Sequence, residues 1–464
     1  MNDSNQSQNR RRFLQTSALG AGAIAAGLPQ SACAAQAPAI GGSNPNFLFV
    51  VCDQLGLDAI AAHGCPDAHT PNIDRLIRRG VTFTESHSTN PVCSPARSSM
   101  FTGRMPVETG VISNNRAIHP SCPNMGQWLK EAGYDSYYCG KWHLPHGYPT
   151  EIAGFNVLPV GAGQGDLVDT VVSRWSESFL NGRDSKRPFC FVASLMQPHD
   201  ICYWAIQGPR LVPEELPFDI LAGKLPELPP NNKSRPPAPA KLDRLAYEQF
   251  DDDQWRYYLY IYYRQVEMVD ADIGRILDAL EDSGQADNTI VILTSDHGDG
   301  RGRHSHVQKW YPYEESVKVP MIVSCPGKVA EGVVDSSHFV SGLDILCTMS
   351  DYAGLDAPPH SQGSSLRPLL EQKPTVWREF VSSEHHIDGR MLRTEQYKYV
   401  RYAGDPVEQL FDMKADPWEM NNLYDDPRLA DVVRDHRKML DAWEASLKSV
   451  EPMPDISKRP KRRG

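Results

Sequence analysis

Cys93 opens the run Cys93-Ser94-Pro95-Ala96-Arg97. Ser94-Pro95 suits the start of a helix, and Gly103 offers its stop. A group at a helix N-terminus faces unpaired N–H donors and the positive dipole end, which favours an anionic substrate. A thiol placed there is a candidate nucleophile, with a buried structural cysteine as the plain alternative. Four other short segments carry acids, amides, amines and imidazoles: Asp53-Gln54, Lys141-Trp142-His143, Gln197-Pro198-His199 and Asp296-His297.

Each of these four segments directly follows an apolar run, at 46–51, 136–139, 189–195 and 289–293. Nearly continuous apolar runs are expected of strands covered by helices on both faces. Helical patterns lie between them, at 72–79 and along 255–282, where Gly284 supplies the stop. Strands alternating with helices imply an α/β fold with a mostly parallel central sheet flanked by helices. Ligands of such sheets gather beyond the carboxyl ends of the strands, so the four segments converge on one active site. Nine prolines between Pro209 and Pro239 mark a surface excursion, either lining the cleft or inert. Further on, 389–394 and 397–402 read as antiparallel strands and 429–447 as a closing helix.

A hydrophobic content of 40% and a charged content of 23% are ordinary for a soluble globular protein, and a net charge of −11 argues against a nucleic-acid binder. Arg10-Arg11-Arg12 precedes a mild apolar stretch and the small residues Ala32-Cys33-Ala34. Residues 1–34 therefore read as a twin-arginine type signal peptide, too short and too weakly apolar for a stable membrane span. The protein is expected to be exported, periplasmic or secreted. A lipoprotein site at Cys33 is the other reading of this segment. The ten cysteines show no paired spacing and no readable disulfide framework. The expected organisation is signal peptide 1–34, catalytic α/β domain 45–375, and C-terminal subdomain 376–464 with a basic tail from Lys458.

The Cys-x-Pro-x-Arg run at Cys93 is flanked by Thr70-Pro71-Asn72-Ile73-Asp74-Arg75-Leu76 and Phe101-Thr102-Gly103-Arg104. Together they resemble the type I, formylglycine-dependent sulfatase family. The resemblance covers nearly all of the chain beyond the signal segment, through Gly140-Lys141-Trp142-His143-Leu144, Asp296-His297-Gly298-Asp299, Lys309, Asp344-Ile345 and Leu423-Tyr424. It implies the alkaline-phosphatase-like fold, with a smaller C-terminal antiparallel-sheet subdomain. It also implies that a maturation enzyme converts Cys93 to formylglycine. Export of an already folded protein would leave time for that step in the cytoplasm. By the same resemblance Asp53, Gln54, residue 93, Asp296 and His297 surround one divalent metal. Carboxylate and amide oxygens suit Ca²⁺, while the imidazole also tolerates Mn²⁺ or Mg²⁺.

The mechanism implied is covalent: a hydrated aldehyde attacks sulfur with one hydroxyl, and its second hydroxyl then expels sulfate. Arg97 would hold the diol and His143 serve as base for the collapse. Lys141, His199 and Lys309 would neutralise sulfate oxygens and protonate the leaving oxygen. Many members carry Asp where this chain has Gln54 and Asn where it has His297, so the site resembles the branch with choline sulfatases and phosphonate monoester hydrolases. Arg301, Arg303, His304 and His306 are expected to border the pocket, with His385, His386 and Arg390 reaching over it, as an anionic-sugar site or as solvated charge. The function expected is hydrolysis of a sulfate ester on a glycan or small molecule. The alternatives are a phosphonate monoester or phosphodiester hydrolase and, in another class, an inactive sulfated-glycan-binding protein.

Overall fold

The structure is a computed structural model that describes residues 44–184, 186–203, 223–243, 250–385 and 388–458. The signal segment, His386, the tail beyond Lys458 and much of the proline-rich excursion lie outside the described residues.

The strands in chain order are β1 (Asn46–Asp53), β2 (Val81–Phe83), β3 (Ser86–His87), β4 (Asp135–Gly140), β5 (Asn156–Leu158), β6 (Phe189–Pro198), β7 (Thr289–Ser295), β8 (Met321–Ser324), β9 (Val333–Asp335), β10 (Val340–Ser341), β11 (Phe380–His385), β12 (Gly389–Thr394), β13 (Tyr397–Tyr402) and β14 (Gln409–Asp412). Eight of them form the central sheet in the order β5-β4-β6-β1-β7-β8-β2-β9. The pairs from β5 through β7 are parallel, whereas β8 runs antiparallel to both β7 and β2.

Alternation along β1 explains its unbroken apolar run. Leu48, Val50 and Cys52 enter one core with the helices Gly165–Gly182 and Asp252–Asp282. Phe47, Phe49 and Val51 enter the opposite core with the helices Cys93–Thr102 and Asp344–Tyr352. Both faces are buried, so no polar alternation survives in the sequence.

The expected helices form with shifted ends. The first spans Pro71–Arg78. The long one begins at Asp252 rather than Trp255, because Asp251 accepts from the Gln254 N–H and Gln254 reaches back in a capping box. The closing helix is Ala430–Ser446. It packs against a four-stranded antiparallel sheet, β11-β12-β13-β14, which contains the two expected strands and two more. Lys458 ends a one-turn helix, Ile456–Lys458. No described helix is long and apolar enough to cross a membrane. The nine described cysteines are all free thiols.

Candidate functional site

β4, β6, β1 and β7 lie side by side and parallel, so the residues after them leave the sheet at one edge. The wholly buried helix Cys93–Thr102 aims its N-terminus there and ends at Gly103, whose φ of 70° is the left-handed turn that glycine adopts freely. Cys93 Sγ lies 3.2 Å from His297 Nε2, 3.2 Å from Lys309 Nζ, 3.7 Å from Asp53 Oδ1 and 3.8 Å from Lys141 Nζ.

Arg97 sits one turn further along the helix and organises the centre. Its Nε donates to Asp296 Oδ2 at 2.8 Å and its Nη2 to Asp53 Oδ2 at 3.2 Å, while Nη1 donates to the Lys141 carbonyl and Ser194 Oγ. Lys141 also pairs with Asp53. These cations occupy the Oδ2 oxygens, and the Oδ1 oxygens turn toward His297. Backbone N–H groups of Gln54 and His297 both donate to Asp296 Oδ1.

The donor atoms of Asp53, Cys93, Asp296 and His297 all lie within 4.8 Å of one another. His297 Nδ1 is 2.8 Å from the Gly298 carbonyl, an acceptor only, so Nδ1 carries the proton and Nε2 offers its lone pair to the cluster. Two carboxylates, an imidazole and a sulfur converging this closely fit a divalent cation. Gly298 lets the strand end pass its neighbour, since a Cβ there would sit 2.0 Å from the Glu315 carbonyl oxygen.

Gln54 is buried at a φ of 75° and faces the same centre. Its Oε1 accepts from Lys309 Nζ at 2.8 Å and from Cys202 Sγ at 3.2 Å. His143, also left-handed at a φ of 62°, is tied in through its carbonyl, which accepts from Ser94 Oγ. Left-handed non-glycine residues cost energy and persist where surrounding structure fixes them, as at these two strand ends.

The charges of the centre follow from burial and proximity. Burial opposes ionisation of Cys93, but Lys141 and Lys309 hold its thiol well below the usual range. Burial also opposes ionisation of Asp53, yet Lys141 and Lys309 hold it below the ordinary carboxylate value. Burial and the neighbouring Asp53 raise Asp296. Half-buried His199 is pushed down to about 4 by desolvation and by Lys141 and Lys309.

The structure thus brings together Asp53, Gln54, Cys93, Arg97, Lys141, Asp296, His297 and Lys309, with His143 and His199 beside them. The outer residues are placed differently. Arg301 and Arg303 both pair with Asp58, and the Arg303 guanidinium lies 4.6 Å over the Trp418 ring. Arg303 and Trp418 border two cavities of 240 and 400 Å³. His304 stacks on Tyr313 at 4.2 Å and His306 on Tyr311 at 4.1 Å, both turned inward. His385 is fully buried at the end of β11, and Arg390 pairs with Glu444.

Several site residues escaped the sequence reading. Tyr258 and Tyr262, one helical turn apart, belong to a buried stripe, but the Tyr258 hydroxyl donates to Asp299 and that of Tyr262 to the Gln54 carbonyl. A tyrosine on a buried face needs a partner for its hydroxyl, and that was the available signal. Ser194 and Cys202 gave none.

The family profile described as Sulfatase matches residues 45–355, and one described as N-sulphoglucosamine sulphohydrolase, C-terminal, matches residues 302–446. The chain is 31% identical over 449 residues to a Delta 4,5-hexuronate-2-O-sulfatase of Bacteroides thetaiotaomicron, covering 90% of this chain and 91% of that protein. It superposes on a solved 2-O GAG sulfatase with a TM-score of 0.76 at 28% identity, covering 89% and 98% of the two chains. A phosphonate monoester hydrolase of Agrobacterium radiobacter shares the fold, with a TM-score of 0.73 at 23% identity over 86% of this chain and 95% of that one.

Proposed function

The chain belongs to the sulfatase family, and from that membership we propose that it removes sulfate from a carbohydrate with residue 93, as formylglycine, as the nucleophile. It is a sulfuric ester hydrolase of the alkaline-phosphatase-like fold. The observation that carries the proposed site is Cys93 itself, at a buried helix N-terminus between Lys141, Lys309 and His297. Formylglycine supplies a hydrated aldehyde, whose second hydroxyl gives a route for sulfate release that serine and cysteine lack.

A divalent metal, Ca²⁺ in this reading, would be held by Asp53, Gln54, residue 93, Asp296 and His297, and would supply Lewis-acid charge at the nucleophile. Arg97 holds the Oδ2 oxygen of each carboxylate, so that the Oδ1 oxygens are the ones turned toward His297 and that role. Lys141 and Lys309 face the sulfate oxygens as an electrostatic clamp. His199, kept neutral, orients the leaving oxygen through its N–H while a lysine of the clamp, Lys141 or Lys309, protonates it, and His143 takes the proton during release.

A carbohydrate substrate is supported by the hexuronate and GAG sulfatases to which the chain is similar. We further infer that residues 1–34 direct export and that 45–375 form the catalytic unit, since the residues gathered around Cys93 all come from it. Gln54 and His297 favour a second reading, hydrolysis of phosphonate monoesters at the same centre.

Peptide mass spectrometry of the Cys93 segment should show the mass loss of thiol-to-aldehyde conversion, and a panel of sulfated saccharides should then identify a substrate. Unconverted Cys93 in an active preparation would refute the nucleophile. An aryl phosphonate turned over well above an aryl sulfate would favour the second reading.

A further inference from the structure

A glutamine side chain has two unlike ends, a carbonyl that accepts and an amino group that donates, and only the carbonyl can serve a cation. Which end of Gln54 faces the catalytic centre is therefore decided by its neighbours. Gln54 Nε2 donates to Asp299 Oδ2 at 2.6 Å, with both side chains fully buried. An ionised carboxylate only accepts, so it holds the amino group and turns the carbonyl away from itself. Lys309 and Cys202 make the same demand from the other side, donating to Oε1 at 2.8 and 3.2 Å.

Asp299 is held in turn. The Tyr258 hydroxyl reaches its Oδ1 at 3.0 Å and its Oδ2 at 3.2 Å, and the Arg301 backbone N–H donates to Oδ1 at 2.8 Å. Gln54 has no other slack: its backbone N–H donates to Asp296 and its carbonyl accepts from Tyr262.

We propose that Asp299, braced by Tyr258, is a positioning residue that fixes the Gln54 amide with its carbonyl oxygen toward the cation site, and so sets the affinity of that site. This rests on the reading of Gln54 as a cation ligand.

Calorimetric titration of Ca²⁺ and of Mn²⁺ into the metal-stripped full chain tests it without substrate. D299N is expected to weaken the better-bound cation by roughly 10–100-fold, the usual effect of removing a partner that orients a ligand. Y258F leaves the charge unchanged, separating orientation from simple attraction, and is expected to weaken binding by a smaller factor. Q54E/D299N restores the net charge, offers an oxygen at either end of residue 54, and is expected to bind at least as tightly as wild type.

Wild-type affinity in D299N or in Y258F overturns the inference. So does a double variant as weak as D299N, or a wild type that binds neither cation. Should D299N fail to fold, Y258F and the double variant decide. Turnover is not read, so a failed substrate assignment leaves this result standing, and a failed titration leaves the substrate assignment untouched.

Discussion

Arg97 Nε donates to Asp296 Oδ2 at 2.8 Å, with neither side chain exposed to solvent. The same guanidinium holds Asp53, so one residue bridges two buried carboxylates. Removing one partner of a buried ion pair leaves uncompensated charge and costs about 3–5 kcal/mol. R97A should lose stability on that scale in urea unfolding, together with all turnover. R97K, which cannot donate along several directions at once, should recover only part of the stability.

Lys309 touches both Cys93 and Gln54. In the proposed mechanism it stabilises charge on the sulfate as the ester bond breaks. K309A should therefore lower kcat by roughly 10²–10³-fold, the scale for loss of one preorganised donor. A change confined to KM, measured on a soluble sulfate ester, would contradict that role.

The Tyr262 hydroxyl accepts from the Gly56 N–H at 3.1 Å and donates to the Gln54 carbonyl at 2.8 Å. Y262F strands both backbone groups beside a residue in left-handed conformation. Each stranded group costs about 1–3 kcal/mol. Thermal unfolding should report a lower Tm for Y262F.

Stability should fall on both sides of a maximum in pH. Burial pushes His304 down to about 4 and His306 down to about 3, against about 6.5 in an unfolded chain. Between those values the unfolded chain binds protons that the folded chain refuses, so acidification below pH 6.5 removes stability. Glu384 acts in the opposite sense. Burial pushes its carboxyl up to about 8, against about 4.3 when unfolded, so the folded chain keeps a proton and stability is lost as pH rises across that interval. Tm measured from pH 4 to pH 9 should flatten on the acid limb for H306Q and on the alkaline limb for E384Q.

The central strands were legible because both their faces are buried, which leaves apolar runs that end abruptly in polar residues. The helix from Cys93 was legible from Pro95 and Gly103. β11 and β14 were not, because a short strand such as Gln409–Asp412 shows no period and gains its place only by pairing with β13. Strand ends mark Asp53, Gln54, Lys141, Asp296 and His297, and the family resemblance marks Arg97 and Lys309, but their mutual arrangement depends on Arg97 and Asp299, whose partners lie 199 and 245 residues away. The outer arginines carried no sign in the sequence that Asp58 would claim both of them. Local pattern marks which residues leave the sheet together; long-range pairing decides which way they point.

The burial of Cys93 imposes an order of events. A side chain with no exposed surface cannot be handled by another enzyme once the helix is packed and His297 and Lys309 have closed around it. In the proposed reading the aldehyde must therefore be installed on nascent or unfolded chain, in competition with folding. The active fraction of a preparation is then fixed early, by the ratio of two rates. Adding the maturation enzyme to finished protein should rescue none of it.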